Sequence, residues 1–237
     1  MARPTKVATL VFLILTALHL AAAPAMADQS YLETRIGVNV LDDIEETIEL
    51  TDVDPSLDPL TATGNFQPGI AVEIAAGHRY NKNFRIETSA NYRRNKFDKI
   101  KIIDDGGLGV FQGGTSLNGQ SEKFDNSWVQ TWSGWLKGFY DIEVTKKFGA
   151  YAGGGLGVSV VKEHLEAYGY SDEDSDNVRF SWQAIAGATW AIDPQLDLIA
   201  EYQFTTIQDI QIDHGLPSIP PYDLNSHTIF IGVRNSF

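Results

Sequence analysis

The sequence predicts an all-β fold, an eight-stranded antiparallel transmembrane β-barrel preceded by a cleavable signal peptide. Three features predict it: an export signal at the N-terminus, eight segments in which apolar and polar residues alternate, and connections that are alternately short and long. Short alternating segments separated by turns are typical of membrane-spanning barrels. After residue 27 the chain has no apolar run of about 18 residues, so a bundle of spanning helices is excluded.

The first element is the predicted signal peptide, residues 1–27. Arg3 and Lys6 precede the apolar segment VATLVFLILTALHLAAA, and the small residues Ala25 and Ala27 fit a cleavage site. We therefore expect export through the periplasm and one barrel domain, residues 28–237, in the outer membrane of a Gram-negative bacterium. A retained anchor helix is the alternative, which Pro24 disfavours because it interrupts the apolar segment.

The composition excludes several other classes of protein. Hydrophobic residues make up 43% of the chain and there is no cysteine, so the chain is neither disordered nor a disulfide or thiolate-metal scaffold. Without Arg3 and Lys6, 16 basic and 31 acidic residues remain, and the formal charge becomes −15. A charge of this sign argues against nucleic-acid binding.

Eight segments alternate with the period of a β-strand. In YLETRIGVNVL, Leu32, Ile36 and Val40 fall on one face, whereas Glu33 and Arg35 fall on the other. Its length matches the ~9 to 11 residues that a tilted strand needs to cross a bilayer. The predicted strands cover residues 31–41, 69–80, 84–94, 127–142, 148–162, 178–192, 196–204 and 227–237.

The connections separate the two ends of the barrel. Short turns are predicted at 81–83, 143–147 and 193–195, and long loops at 42–68, 95–126, 163–177 and 205–226. This asymmetry places the short turns and both termini in the periplasm and the long loops outside. A soluble lipocalin-like barrel is the alternative, but its two ends would not differ so sharply in loop length.

Twelve charged residues on the strands share one parity, which identifies the inward face. An Arg or Lys pointing into the bilayer midplane costs ~2 to 4 kcal/mol, so this set must face the lumen. Six acids balance six bases, which predicts a paired network that fills a lumen too narrow for bulk water. Trp135 shares this parity, as do Gly153, Gly155 and Gly157, which leave room for long neighbours. The predicted luminal charge network comprises Glu33, Arg35, Glu73, Arg79, Arg85, Glu87, Arg93, Lys137, Asp141, Asp197, Glu201 and Arg234.

Aromatic residues of the opposite parity cluster at the strand ends, as two interfacial girdles require. The predicted periplasmic girdle comprises Tyr80, Phe84, Tyr140, Trp190 and Phe237. The predicted outer girdle comprises Tyr92, Trp128, Trp182 and Phe204.

The long loops carry most of the acidic residues. Loop 42–68 has eight acids and no base, and loop 163–177 has six acids and no base. These loops are either a solvated surface or a site for divalent cations that bridge to lipopolysaccharide phosphates.

Loop 95–126 contains the turn sequence Asp104 to Gly107 between β-prone runs, which predicts that strands three and four continue above the membrane as a ribbon. The open edges of such a ribbon could pair with a partner strand.

Three segments carry a family resemblance: FGAYAGGGLGVSVVK, WQAIAGATWAIDPQLDLIAEYQF and the closing SHTIFIGVRNSF, which includes His227, Gly232, Arg234 and Phe237. They resemble the corresponding strands of the small outer-membrane barrels of the OmpA transmembrane-domain, OmpX and opacity type. Asn235 departs from the family, which has an aromatic residue there. The resemblance implies that the barrel-assembly machinery recognises the terminal strand, with Phe237 as its assembly signal.

These features favour a non-catalytic surface protein with a structural or adhesion-type interaction role. A small-solute channel is the first alternative and a lipid A-modifying enzyme the second. The histidines of the mature chain, His78, His164, His214 and His227, fall near strand ends or in loops, so we expect no catalytic residue, cofactor or metal site. The expected partners are outer-membrane lipid, lipopolysaccharide, the assembly machinery and an extracellular ligand at the long loops. We expect a monomer.

Overall fold

The computed structural model describes residues 29–48, 54–107, 115–123, 126–164, 177–210 and 221–237. The predicted signal peptide lies outside these ranges, as do His214, the run after the Asp104 to Gly107 turn and most of the acidic loop 163–177. Within the described ranges no helix is long and apolar enough to span a membrane.

Eleven β-strands occur in the described residues and join in one antiparallel sheet. Eight of them, β1, β4, β5 and β7 to β11, form a ring in which each strand pairs with two neighbours, and the pairing of β1 with β11 closes it. This ring confirms the predicted eight-stranded barrel. The strands are β1 (Ser30–Leu41), β2 (Ile44–Ile48), β3 (Leu60–Phe66), β4 (Gly69–Arg79), β5 (Phe84–Asp104), β6 (Ser121–Lys123), β7 (Trp128–Glu143), β8 (Phe148–His164), β9 (Asn177–Ala191), β10 (Leu196–Ile210) and β11 (Tyr222–Ser236).

The three short turns share one local device. Asn81, Thr145 and Asp193 each accept hydrogen bonds from the backbone N–H groups two and three residues further on, at 2.8–3.3 Å. A short polar side chain that binds its own backbone in this way stabilises a tight reversal of the chain. These residues therefore hold the hairpins at the end of the barrel where both described termini lie.

Three barrel strands are longer than predicted at the opposite end. β5 extends to Asp104, β10 extends to Ile210, and β11 begins at Tyr222. The predicted ends at residues 94, 204 and 227 were wrong because the pattern reverses there: inward residues such as Ile207 and Leu224 become apolar while the outward ones become polar, although the ladder continues. Thr206, for example, still pairs with Asn225, and their side chains share a hydrogen bond of 2.9 Å.

An extracellular sheet stands above the barrel, but its strands differ from those predicted. It consists of β2, β3, the outer part of β5 and β6. β3 pairs with β5 from Phe97 to Asp104, whereas the register of β7 with β5 ends at the pair of Lys96 and Trp128. β5 also pairs with β6, which lies in loop 95–126 just before β7, through Lys99 to Lys101, so the predicted ribbon of strands three and four is present in part. The first long loop supplies a second, unpredicted partner, and Phe66 packs edge-on against Phe97 at 5.1 Å between ring centroids.

The outer face of the ring is apolar. On β5, the outward apolar residues begin at Phe84 and end at Tyr92, eight residues later. At ~3.4 Å per residue, this part of the strand is about 27 Å long. A tilt of ~40° reduces this to about 21 Å, close to the ~25 Å apolar band of outer-membrane barrels. All five predicted periplasmic girdle residues lie on this surface with much of the side chain exposed. The outer girdle residues are more covered because they pack in pairs, such as Trp182 with Phe204 at 5.6 Å.

Candidate functional site

Eight of the twelve predicted luminal charges meet in one cluster inside the barrel. Strand alternation directs them inward, and the register of the neighbouring strands brings them to similar depths. Each is at most 2% exposed, and acids and bases are equal in number. We call this set the central network: Glu33, Arg35, Glu73, Arg85, Glu87, Lys137, Glu201 and Arg234.

Arg35 is the hub of the central network. Its Nη2 donates to Glu33 and to both carboxylate oxygens of Glu87, the latter at 2.9 and 3.0 Å. Its Nη1 donates to Glu73 and lies 3.3 Å from Oε1 of Glu201. One guanidinium thus contacts four carboxylates, which suits its planar fork of N–H donors.

The other three cations complete the neutralisation. Lys137 Nζ donates to Oε1 of Glu73 at 2.7 Å and lies 3.5 Å from Glu87. Arg85 donates to Oε2 of Glu87 at 3.2 Å, and Arg234 donates to Glu33. Every acid of the cluster therefore contacts at least one cation, as burial of charge requires.

Aromatic and amide side chains satisfy the remaining acceptors. The Tyr151 hydroxyl donates to Glu201 at 2.7 Å, and Gln203 Nε2 donates to the other oxygen of Glu201 at 2.8 Å. The Tyr31 hydroxyl accepts from Arg85 at 2.8 Å and donates to Glu87 at 3.3 Å. These contacts fix the rotamers of the carboxylates and link the network to all sides of the barrel.

Each large luminal aromatic ring lies over a glycine on a neighbouring strand. A Cβ atom at the glycine would collide with the ring, and at three of the five glycines with a backbone carbonyl as well. The predicted inward glycines Gly153 and Gly157 belong to this pattern, and Gly155 makes room for Lys137 and Gln183. The five pairs, which share a register, are Tyr31 with Gly77, Phe230 with Gly37, Trp135 with Gly157, Phe139 with Gly153 and Tyr151 with Gly187.

The remaining four predicted charges lie outside the central network. Asp141, Arg79 and Asp197 line the periplasmic mouth with 16–38% of the side chain exposed, where Asp141 accepts from Arg85 at 3.1 Å. Arg93 is buried on the other side of the network and donates to Gln203 at 2.8 Å and to Ser226 at 3.4 Å. Among the described residues, Arg93 has no carboxylate within ion-pair distance. The predicted pairing therefore does not extend to it.

An apolar seal, which was not predicted from the sequence, lies at the extracellular end of the lumen. The inward positions that follow the polar layer are aliphatic, and their side chains are buried against one another. The signal was present, since these residues have luminal parity and yet are apolar. The seal is formed by Leu41, Val129, Val161, Ile207, Ile210 and Leu224, with Ile44, Phe66 and Tyr222 packed against it.

Two histidines make hydrogen bonds on the outer surface. His78 Nδ1 lies 3.3 Å from the Ser30 hydroxyl near the periplasmic end. His227 lies between the Tyr202 hydroxyl, 2.7 Å from its Nδ1, and Asp42, 3.2 Å from its Nε2. Within the described ranges, no group of three His, Asp or Glu side chains is arranged to hold a metal ion.

Comparisons with known proteins agree with this architecture. The outer membrane protein OprG from Pseudomonas aeruginosa has a TM-score of 0.53 at 12% identity, over 90% of this chain and 97% of that one. Neisserial surface protein A has a TM-score of 0.52 at 15% identity, over 88% and 97%. The outer membrane protease OmpT from Escherichia coli reaches only 0.44 at 8% identity, over 87% and 97%. At such identities the likenesses to OprG and to Neisserial surface protein A show the fold alone.

The sequence comparison identifies the family. No curated protein matches the chain significantly. The family described as outer membrane protein beta-barrel domain matches residues 13–237, which is nearly the whole chain. The chain therefore belongs to the outer membrane protein beta-barrel domain family and lies in the outer membrane of a Gram-negative bacterium, as the sequence predicted.

Proposed function

We propose that this barrel is closed and non-catalytic and that it acts as a surface interaction protein through its extracellular sheet. The observation that carries the proposal is the filling of the lumen. The central network occupies the periplasmic half, and the apolar seal lies across the extracellular half. A barrel of eight strands encloses an interior just wide enough for side chains, so we infer that these two layers close the lumen in the described part of the chain.

The balance of charge supports closure over ion selection. A selectivity ring presents one sign of charge to the permeating ion, whereas the central network has equal numbers of acids and bases that contact each other directly. Opening it would expose paired charges that no longer neutralise one another. The network therefore serves as a structural core in place of a hydrophobic one.

The histidines support a non-catalytic role. His227 contacts Asp42 and Tyr202 on the outer surface, but a catalytic base must also face a nucleophile in a cleft that holds the substrate. His78 reaches a serine, Ser30, with no described carboxylate to orient its ring. Neither histidine therefore forms the three-part arrangement that activates a serine.

The extracellular sheet is the part of the described chain best placed to meet a partner. Among the described residues, β2 pairs with β3 alone. The other side of β2 is therefore a sheet edge that can accept another strand. The edge is acidic, with Asp42, Asp43 and Glu45 at its start. In the same loop, hydrogen bonds from Ser56 lower the pKa of Asp54. The partner we infer is an extended basic segment of an extracellular protein.

Replacement of residues 43–67 by a short Gly-Ser turn tests this role. Cells that display the variant are expected to lose several-fold retention on surfaces coated with basement-membrane extract, because the acidic edge is gone while the barrel remains. Cells that display the wild-type barrel give the upper limit of retention, and cells without the barrel give the lower limit. Heat-dependent gel migration shows whether the variant barrel is folded. Equal retention of a folded variant and the wild type would contradict the interaction role.

We also propose Phe237 as the assembly signal. It directly follows β11, its N–H donates to the Ser30 carbonyl at 3.0 Å, and half of the side chain is exposed at the periplasmic girdle. Deletion of Phe237 is expected to reduce the amount of folded barrel in the outer membrane several-fold without altering signal cleavage. The Phe237→Tyr variant keeps the terminal aromatic and should assemble normally. An unchanged yield after deletion would show that this residue is not the signal.

A further inference from the structure

Basic and aromatic residues form a compact patch on the lipid-facing side of β5, β7 and β8. Cross-strand register places Arg94 opposite Gln130, Lys96 opposite Trp128, and Trp128 opposite His164. All of these side chains have the outward parity of the lipid face. We call these five residues, Arg94, Lys96, Trp128, Gln130 and His164, the basic girdle patch; Lys162, opposite Gln130, adjoins it.

The basic girdle patch lies where the apolar band ends on the extracellular side. The outward residues one step closer to the membrane centre are Tyr92, Trp132 and Val160, all aromatic or aliphatic. Tyr92 and Trp132 pack together with ring centroids 4.7 Å apart, as interfacial aromatics do. The next outward residue on each strand is polar, so the patch is level with the headgroups of the outer leaflet.

The patch is built around Trp128. The Arg94 guanidinium carbon lies 4.8 Å from the centre of the Trp128 ring, and the His164 ring stacks on the indole at 5.5 Å and 21°. Gln130 is held by the Tyr92 hydroxyl, which donates to it at 3.4 Å. A guanidinium group that lies over an aromatic ring contacts the ring with its flat face. The N–H donors at the edge of the guanidinium group stay available, so Arg94 can still bind an anion.

The sign of charge at this place is opposite to that of the protein as a whole. Without its signal peptide the chain has a formal charge of −15, yet Arg94 and Lys96 are both exposed here and make no ion pair with a described residue. The nearest outward acid on β5 is Asp98, whose carboxylate accepts from Gln67 at 2.8 Å. On the far side of the barrel the same level presents Asp42 beside His227. The positive surface is therefore confined to one side.

We propose that the basic girdle patch binds the phosphate groups of a phosphorylated glycolipid in the outer leaflet. Arg94 supplies the planar pair of donors that matches a phosphate, and Lys96 adds a second positive charge at the same level. Trp128 lies at the boundary of sugar and acyl chains, where its amphipathic ring is stable. This inference rests on the position of the barrel in the outer membrane and does not depend on a closed lumen or on the extracellular sheet.

Native mass spectrometry of the refolded barrel in detergent tests the proposal, with purified lipid A as the probe. Substitution of Arg94→Gln together with Lys96→Gln is expected to weaken lipid A binding on the order of tenfold, since two charge-assisted contacts are lost. Removal of the phosphates from lipid A should weaken binding to the wild type by a similar factor. The charge-conserving variant Arg94→Lys with Lys96→Arg should retain most of the binding.

The control variant removes the same charge from the periplasmic end, where Lys82 and Lys147 are exposed on short turns. The Lys82→Gln and Lys147→Gln double variant should bind lipid A as the wild type does. Equal losses in the two double variants, or equal binding of phosphorylated and dephosphorylated lipid A to the wild type, would overturn the proposal. Inorganic phosphate should bind far more weakly than lipid A, and comparable binding would refute the assignment to a lipid.

Discussion

Substitution of Arg35 by methionine is expected to destabilise the barrel by ~3 to 5 kcal/mol, the cost of breaking a buried ion-pair cluster by removing one partner. Arg35 contacts the carboxylates of Glu33, Glu73, Glu87 and Glu201, all of them buried. Without it, three cations of the central network face four carboxylates. Methionine keeps much of the volume, so the expected loss reflects charge and not a cavity.

Urea unfolding of the refolded protein in lipid vesicles measures this effect. The double variant Arg35→Met with Glu87→Gln restores equal numbers of acids and bases, and should regain at least half of the lost free energy of unfolding. Lys101→Met, on the exposed part of β5, is the control for loss of a cation and should unfold like the wild type. If Arg35→Met unfolded at the wild-type urea concentration, the network would not be a structural core.

Substitution of Gly157 by alanine is expected to cost about 3 kcal/mol, since an added methyl group overpacks the site. Its Cβ would lie 2.6 Å from Cε3 of Trp135 and still closer to the carbonyl oxygen of Gly134. Trp135 is almost fully buried, and the carbonyl belongs to the β7 ladder, so neither can withdraw without breaking other contacts. The aromatic-over-glycine pairs therefore set which side chains the lumen accepts.

The lipid-facing Gly138 provides a matched control for this substitution. A Cβ at Gly138 would meet no atom within 4 Å, so Gly138→Ala should leave stability unchanged. The fraction of heat-modifiable, folded protein after refolding compares the two variants. Equal folded fractions would mean that the pairing of Trp135 with Gly157 contributes nothing to the barrel.

Much of the barrel could be predicted because lipid imposes one strict rule on each strand. A charged residue at mid-membrane must face inward, so the positions of Glu33, Arg35 and Glu201 determine the face of their whole strands. The rule fails beyond the membrane, where water accepts either face. This is why the residues after Phe204 on β10, where the apolar Ile207 faces inward, gave no strand signal.

Long-range pairing accounts for the other differences. The composition around Asp104 indicated local pairing, which occurs with β6 over three residues, whereas the longer pairing of β5 is with β3 from a loop some forty residues earlier in the chain. Nothing in the local sequence of either segment identifies that partner. The individual ion pairs could not be predicted from the local sequence either. The strand register and the side-chain rotamers decide that Arg35 contacts four acids, whereas Arg93 contacts amide and hydroxyl groups.

Conductance of the refolded barrel in planar bilayers tests the closed lumen most directly. The wild type and the Lys101→Ala control are expected to be silent. Lys137→Ala and Glu201→Ala should show brief openings, because each leaves the central network with one uncompensated buried charge, which draws in water. Large and steady openings of the wild type would contradict the closed lumen and favour a small-solute channel.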